Sequence, residues 1–261
     1  MLKFIKYDIK GSLKTLLGFL FGGIIASIIF QFTLNTRILE YRMRTSTAYY
    51  LKDVIVGAGI LIAIVTVISF IVYAINSFNK EINSDKGYLT FQTPEKMWKM
   101  VASKLIVMGT WSFIYLIVGI YFNILLSIII EGGITSTNFD YSEVVSSELF
   151  YILITDIVMT LSLIYLSLSI SKTTIKYKKL NWMWIVILIL LIVAYSYIRS
   201  YIFSLRFREL LPGQGLLYYT LGVQLVELRD GDQIYYMLMN LIFTVVNVYA
   251  TGLILDKKIN L

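Results

Sequence analysis

Apolar residues come along this chain in long runs, separated by short polar stretches. A helix needs about 20 residues to cross the roughly 30 Å hydrocarbon core of a bilayer, and six runs reach or approach that length: about 16–33, 54–77, 105–130, 150–170, 182–203 and 234–255. The pattern predicts an all-α, polytopic membrane protein with six transmembrane helices, forming one membrane domain over 1–261. Ahead of the first run, Lys3, Lys6, Lys10 and Lys14 share one helical arc while Leu2, Ile5, Ile9 and Leu13 share the next. Residues 1–15 are therefore expected as an interfacial amphipathic helix whose lysines meet anionic lipid headgroups. A cleaved signal peptide fits less well, because the following run is long, lacks a clear small-residue cleavage site and is succeeded by more spans.

Composition agrees with the runs. The chain is 58% hydrophobic and only 15% charged, against about a quarter charged for a soluble domain. Cysteine and histidine are absent, which excludes disulfides, thiolate nucleophiles, Cys/His zinc sites and an imidazole base. Six spans put both termini on one side, and the basic residues say which. Fifteen of the 23 lysines and arginines fall in the segments on the side of the termini and eight on the other, so both termini are expected in the cytoplasm. The net charge of +7 then describes an inner lysine belt. No basic cluster is interleaved with aromatics in the manner of a nucleic-acid groove, so nucleic acid is not an expected partner.

The longest polar interruption on that inner side is the connector 78–104. It turns at Gly87 and passes through Tyr88 to Phe91 as a short extended piece. A helix start follows, with Thr93 as cap, Pro94 at the first helical position and Glu95 at the positive end of the helix dipole. On that helix Met97, Trp98, Val101 and Leu105 share one arc, and Glu95, Lys96, Lys99 and Ser103 the other. Such a helix lies against a membrane with one face and offers the second to a soluble partner; a merely solvated loop is the plainer alternative. The outer loop 204–232 holds Pro212, Gly213 and Gly215, which read as turns.

The connector resembles that of small ABC type-2 transporter permeases of Gram-positive bacteria, which often carry a Gly-Tyr-Leu-Thr-Phe run, then a proline and a helix ending Ser-Lys-Leu. Gly87, Tyr88, Leu89, Thr90, Phe91, Thr93, Pro94, Ser103, Lys104 and Leu105 match that pattern. Gln92 replaces the usual small residue and Lys86 the usual acid. The resemblance implies the membrane subunit of an exporter, paired with a second copy or a sister permease. It also implies a separate ATP-binding-cassette ATPase, contacted through Gly87, Tyr88, Phe91, Thr93, Pro94, Glu95, Met97, Trp98 and Lys99. ATP and Mg would then belong to that ATPase. This chain has no phosphate-binding GxxxxGK[ST] loop and is expected to bind no cofactor itself. Small permeases of this kind are associated with export of amphipathic peptides, including antimicrobial ones, from the cell membrane; a lipid or hydrophobic drug suits an apolar lateral opening equally.

Within the runs, Asp156 is the one acid deep in a span, where an ionised carboxylate costs about 3 kcal/mol. It is expected to face protein or a wet cavity. Two roles stay open: binding a cationic substrate or carrying a proton, against pairing with Arg199 or accepting hydrogen bonds from Asn123, Asn240 or Asn247. Asn240 and Asn247 are seven apart and share a helix face, as pathway lining or as a helix–helix contact. Arg199 lies near enough to its helix end to snorkel. An intramembrane enzyme would have to use Asp156 with a tyrosine or lysine, without paired acids at a useful spacing. A sensor or assembly subunit without transport is a third class. Gly22, Gly23, Ala26 and Ser27 form a small-residue face on the first span, suited to close packing within the chain or to a dimer seam.

Overall fold

A computed structural model describes residues 2–34, 46–83, 96–131, 147–174, 182–206 and 230–259. These form six α-helices: α1 (Leu2–Leu34), α2 (Ser46–Asn83), α3 (Met97–Glu131), α4 (Ser147–Thr174), α5 (Met183–Arg206) and α6 (Asp230–Ile259). No strand occurs among the described residues. Five helices are long and apolar enough to cross a membrane, while α5 carries a shorter apolar stretch, Met183–Arg199. These are the marks of a membrane-embedded helical protein. Such long helices tolerate their many β-branched residues because lipid offers the backbone no other hydrogen-bonding partner. The two prolines, Pro94 and Pro212, lie outside the described residues.

Two expectations about boundaries are corrected. The interfacial helix expected over 1–15 does not stand apart from the first span, since α1 runs unbroken through both. Lys6, Lys10 and Lys14 are exposed, as are Ile9 and Leu13. Likewise the connector helix and the third span are one helix. α3 has 35 residues, about 50 Å at 1.5 Å per residue, so it outreaches the hydrocarbon core at one end or both. A switch from polar to apolar residues ends neither helix, because only a lost donor or a steric clash interrupts the i→i−4 ladder. Residues 84–95, with Gly87, Tyr88, Phe91, Thr93, Pro94 and Glu95, lie outside the described residues.

The helices divide into two groups. In residues 78–106 with 147–261, α4 packs against both α6 and α5. It is the central element there, with 61% of its candidate span buried, against 11% for that of α2. Met159 and Leu163 of α4 meet Tyr195 of α5, with Leu188, Leu191 and Phe243 around them. Ile152 packs with Tyr236 and Met239.

In residues 2–77 with 107–146, Leu16 of α1 and Val107 and Trp111 of α3 form the buried centre, joined by Phe19, Phe70, Tyr73 and Tyr115. On the small-residue face of α1, a Cβ at Gly22 would stand 3.4 Å from Thr66 Oγ1 of α2, while one at Gly23 would meet nothing within 4 Å. Elsewhere α2 presents Leu61, Ile64, Val65, Ile68 and Val72 outward.

Candidate functional site

α6 carries a stripe of polar side chains that lipid cannot satisfy. Tyr236, Asn240, Thr244, Asn247 and Thr251 are all buried, and at 3.6 residues per turn they fall within an arc of about 80°. Thr244 and Thr251 donate to carbonyls of their own helix, at Asn240 (2.8 Å) and Asn247 (2.7 Å). The asparagines reach across to α4: Asn247 Nδ2 donates to Ser162 Oγ at 3.0 Å, and Asn240 Nδ2 to Asp156 Oδ1 at 2.7 Å.

At Asp156 three helices converge. Tyr236 of α6 directs its hydroxyl at the carboxylate, 2.8 Å from Oδ1 and 3.1 Å from Oδ2. Arg199 of α5 donates in turn to that hydroxyl, Nη1 to oxygen 2.6 Å. Tyr195, one turn before Arg199, donates its hydroxyl to Asn240 Oδ1. Two chains of donors therefore end on one carboxylate, Arg199 to Tyr236 to Asp156 and Tyr195 to Asn240 to Asp156. That directionality suits a carboxylate, which only accepts when ionised. Arg199 is buried, with its guanidinium carbon 5.5 Å from the centroid of the Tyr195 ring and 5.1 Å from that of Tyr236. Phe243 stands edge-on to Tyr195 at 4.7 Å. The cluster lies in the first half of α4, the first half of α6 and the second half of α5.

Towards the other end of α6, the start of α3 is fastened down. The Met97 amide, one of the first-turn donors a helix leaves unpaired, donates to Asp256 Oδ1 at 3.3 Å. Gly252 lies directly against Trp98: an added Cβ would fall 2.5–2.7 Å from the Trp98 N, Cα and Cβ. No side chain fits there, because most of what it would strike is backbone. Further along α3, Lys104 is buried and forms an ion pair with Glu81 near the end of α2. Phe78, one turn before Glu81, stacks on Tyr165 of α4 with ring centroids 4.3 Å apart.

The expected site residues thus part into several sets. Asp156 and Asn240 meet directly, Asn247 bonds to Ser162 instead, and Asn123 lies in α3 with its side chain outside the described residues. Of the expected arcs on the connector helix, Met97, Val101 and Leu105 are buried, Trp98 and Lys99 are half-buried and Lys96 is exposed. Ser103, expected on the free polar face, is instead fully buried, donating to the Met100 carbonyl at 2.7 Å. The exposed face of this helix is therefore narrower than the helical wheel suggests. Tyr195, Tyr236, Gly252 and Asp256 were not legible as site residues. For Tyr236 a signal existed, since it stands one turn before Asn240 on the stripe that Asn240 and Asn247 already marked. For Asp256, which pairs across 159 positions, there was none.

What the fold and this cluster define is a helical membrane-embedded protein with an acid and an arginine held together between its helices. No family model matches the chain, and no curated protein or solved structure is significantly similar to it.

Proposed function

We propose that this chain is the permease subunit of an ATP-binding-cassette exporter that moves amphipathic peptides out of the cell or its membrane. In this reading it crosses the cell membrane six times with both termini cytoplasmic and pairs with a second copy or a sister permease. A separate ATPase holds the ATP and Mg. The observation that carries the reading is the Gly87–Leu105 sequence. It joins two apolar helices, and its Met97–Lys104 part is tied to α6 by Asp256 and Gly252 and to the end of α2 by Glu81. A partner that moved this segment would therefore act on α6 without a slack linker between them. Transport then follows from a differential contact: the ATPase, closing on ATP, favours one of two helix arrangements over the other.

Partner capture tests it. The chain is co-expressed with the ATPase encoded beside it and purified from membranes. The two are expected to co-purify, and Val101→Pro is expected to abolish capture. Position 101 is the informative one because α3 starts at Met97, so a proline at Trp98 would sit in the first turn, where it is tolerated. A well-folded wild-type chain that captures no ATPase sinks the reading. For the substrate, cells lacking the chain are expected to become sensitive to membrane-active peptides and to stay unchanged towards unrelated hydrophobic drugs.

A further inference from the structure

The face of α6 opposite its polar stripe is apolar and exposed. Leu238, Ile242, Val245, Tyr249 and Leu253 follow one another there at steps of three and four residues, with exposures from 47% at Leu253 to 68% at Val245. At 1.5 Å per residue that face is about 22 Å long. One turn further it ends in a charge, since Lys257 is exposed as well. A surface that is hydrocarbon along its length and cationic at its end complements an anionic phospholipid, whose acyl chains lie along the helix while its phosphate meets the lysine.

A lone lysine after an apolar helix is commonplace, but here a second one is fixed beside it. The Met97 amide donates to Asp256 Oδ1 at 3.3 Å, and Gly252 lies against the Trp98 backbone. Those contacts bring Lys96, the residue before Met97, to Lys257, the residue after Asp256. Both lysines are exposed, and among the described residues neither is in an ion pair. Asp256 itself is half-buried and turned to the Met97 amide. In the sequence, Lys96, Lys99, Lys257 and Lys258 stand here against Glu95 and Asp256, so this end stays positive. Trp98, half-buried between Lys96 and Lys99, is of the residue type enriched at headgroup depth.

We propose that Lys96 and Lys257 together bind the phosphate of one anionic phospholipid, whose acyl chains lie along the 238–253 face of α6. A single headgroup then bridges α3 and α6, and holds the start of α3 from outside as Gly252 and Asp256 hold it from within. The apolar face and the charge are continuous, and this favours a lipid over an acidic soluble protein, which would meet the lysines and leave the face bare. Neither an ATPase nor transport enters this site, so it stands or falls apart from the exporter reading.

The test mixes the full chain in detergent micelles with dioleoylphosphatidylglycerol or with zwitterionic dioleoylphosphatidylcholine, and counts bound lipid by native mass spectrometry. The first phosphatidylglycerol is expected to bind about twentyfold more tightly than the first phosphatidylcholine, each lysine giving about fivefold. Lys96→Gln and Lys257→Gln are each expected to lose about fivefold, and the double variant to bind both lipids alike. Lys6→Gln/Lys10→Gln/Lys14→Gln removes more charge, but from α1, and is expected to leave the first lipid unchanged. Gly252→Leu keeps every lysine but pushes the start of α3 off α6, and is expected to lose the preference. Equal binding of the two lipids by wild type overturns the proposal. So does a preference that survives the double variant, that persists in folded Gly252→Leu, or that falls as far in the α1 variant. Displacement of phosphatidylglycerol by an equal concentration of glycerol 3-phosphate or polyglutamate also overturns it, marking a surface for soluble anions or acidic protein. If Gly252→Leu does not fold, the exposed lysines decide by themselves.

Discussion

Both helix groups are apolar and helical, yet they are held together differently. In residues 2–77 with 107–146, the buried hydroxyls stay within their own helix: Ser12 donates to Ile9 and Ser112 to Met108. Among the contacts that cross between helices there are rings packed against rings. Phe70 stands edge-on to Tyr115 at 5.4 Å and Phe19 to Tyr73 at 6.1 Å, with the Tyr115 hydroxyl to the Leu16 carbonyl as a polar addition. In residues 78–106 with 147–261, side-chain hydrogen bonds and charges cross between α4, α5 and α6, from Asp156 down to Asn247. The contrast has a physical root. Lipid tails are as apolar as leucine, so helices in a membrane gain little from burying apolar surface against each other, and association rests on packing and polar contacts. Ring contacts tolerate small rotations and slips. A carboxylate that ends two donor chains, each starting on α5 and passing through α6, does not, so the second group is specified in register and rotation.

The largest expected effect that would break this comparison is at Asp156. Asp156→Ala removes the acceptor on which both donor chains end and leaves the buried Arg199 without its counter-charge, and an uncompensated buried charge costs about 3–5 kcal/mol. Reversible unfolding in mixed micelles is expected to show a loss of that size. A loss under 1 kcal/mol would mean that the charges do not fasten α4 to its neighbours. In the other group, Trp111→Ala empties a buried aromatic position and is expected to cost about 3 kcal/mol by the same measurement.

Gly252→Leu comes next. Its side chain has to push against the Trp98 backbone, and overpacking of this kind costs about 1–3 kcal/mol. A pair of spin labels at Lys96 and Lys257, both exposed and introduced as cysteines into a chain that has none of its own, is expected to report a longer or broader distance in this variant. An unchanged distance would show that α3 and α6 do not meet there. Smallest is Asn247→Leu, which removes one hydrogen bond between helices. Such bonds average about 0.6 kcal/mol in membranes, so the unfolding midpoint is expected to move only slightly. A loss as large as that of Asp156→Ala would mean that the polar stripe of α6 acts as one cooperative unit.

How far the chain could be read in advance differed between elements for identifiable reasons. The apolar runs announced the helices, because the length needed to cross hydrocarbon is a property of the segment alone. Their ends were less legible. Ser103 looked like part of a free polar face, since a helical wheel shows which residues share an arc and not what stands opposite them. In the fold Lys104 meets Glu81 of α2, and Ser103 turns to its own backbone. Asp156 attracted attention for a sound reason, the cost of an acid in a membrane, and its proposed partner Asn240 is indeed beside it. The Tyr236 hydroxyl that links it to Arg199 escaped notice because a tyrosine near the end of an apolar run is ordinary in membrane helices.

By itself the sequence determined that this protein is helical and embedded in a membrane, that no cysteine or histidine chemistry is open to it, and that one buried acid must find partners. Those conclusions need only composition, run length and the price of charge in hydrocarbon. Only the tertiary structure decided that Arg199 and Asp156 share the Tyr236 hydroxyl, and that the glycine at 252 exists to let the Trp98 backbone approach. It alone decided, too, that the start of α3 is capped by an aspartate from α6. Each of these joins residues distant in the chain, and which side chain stands across from another depends on how helices are rotated and staggered against one another. Periodicity along a single helix carries no information about that.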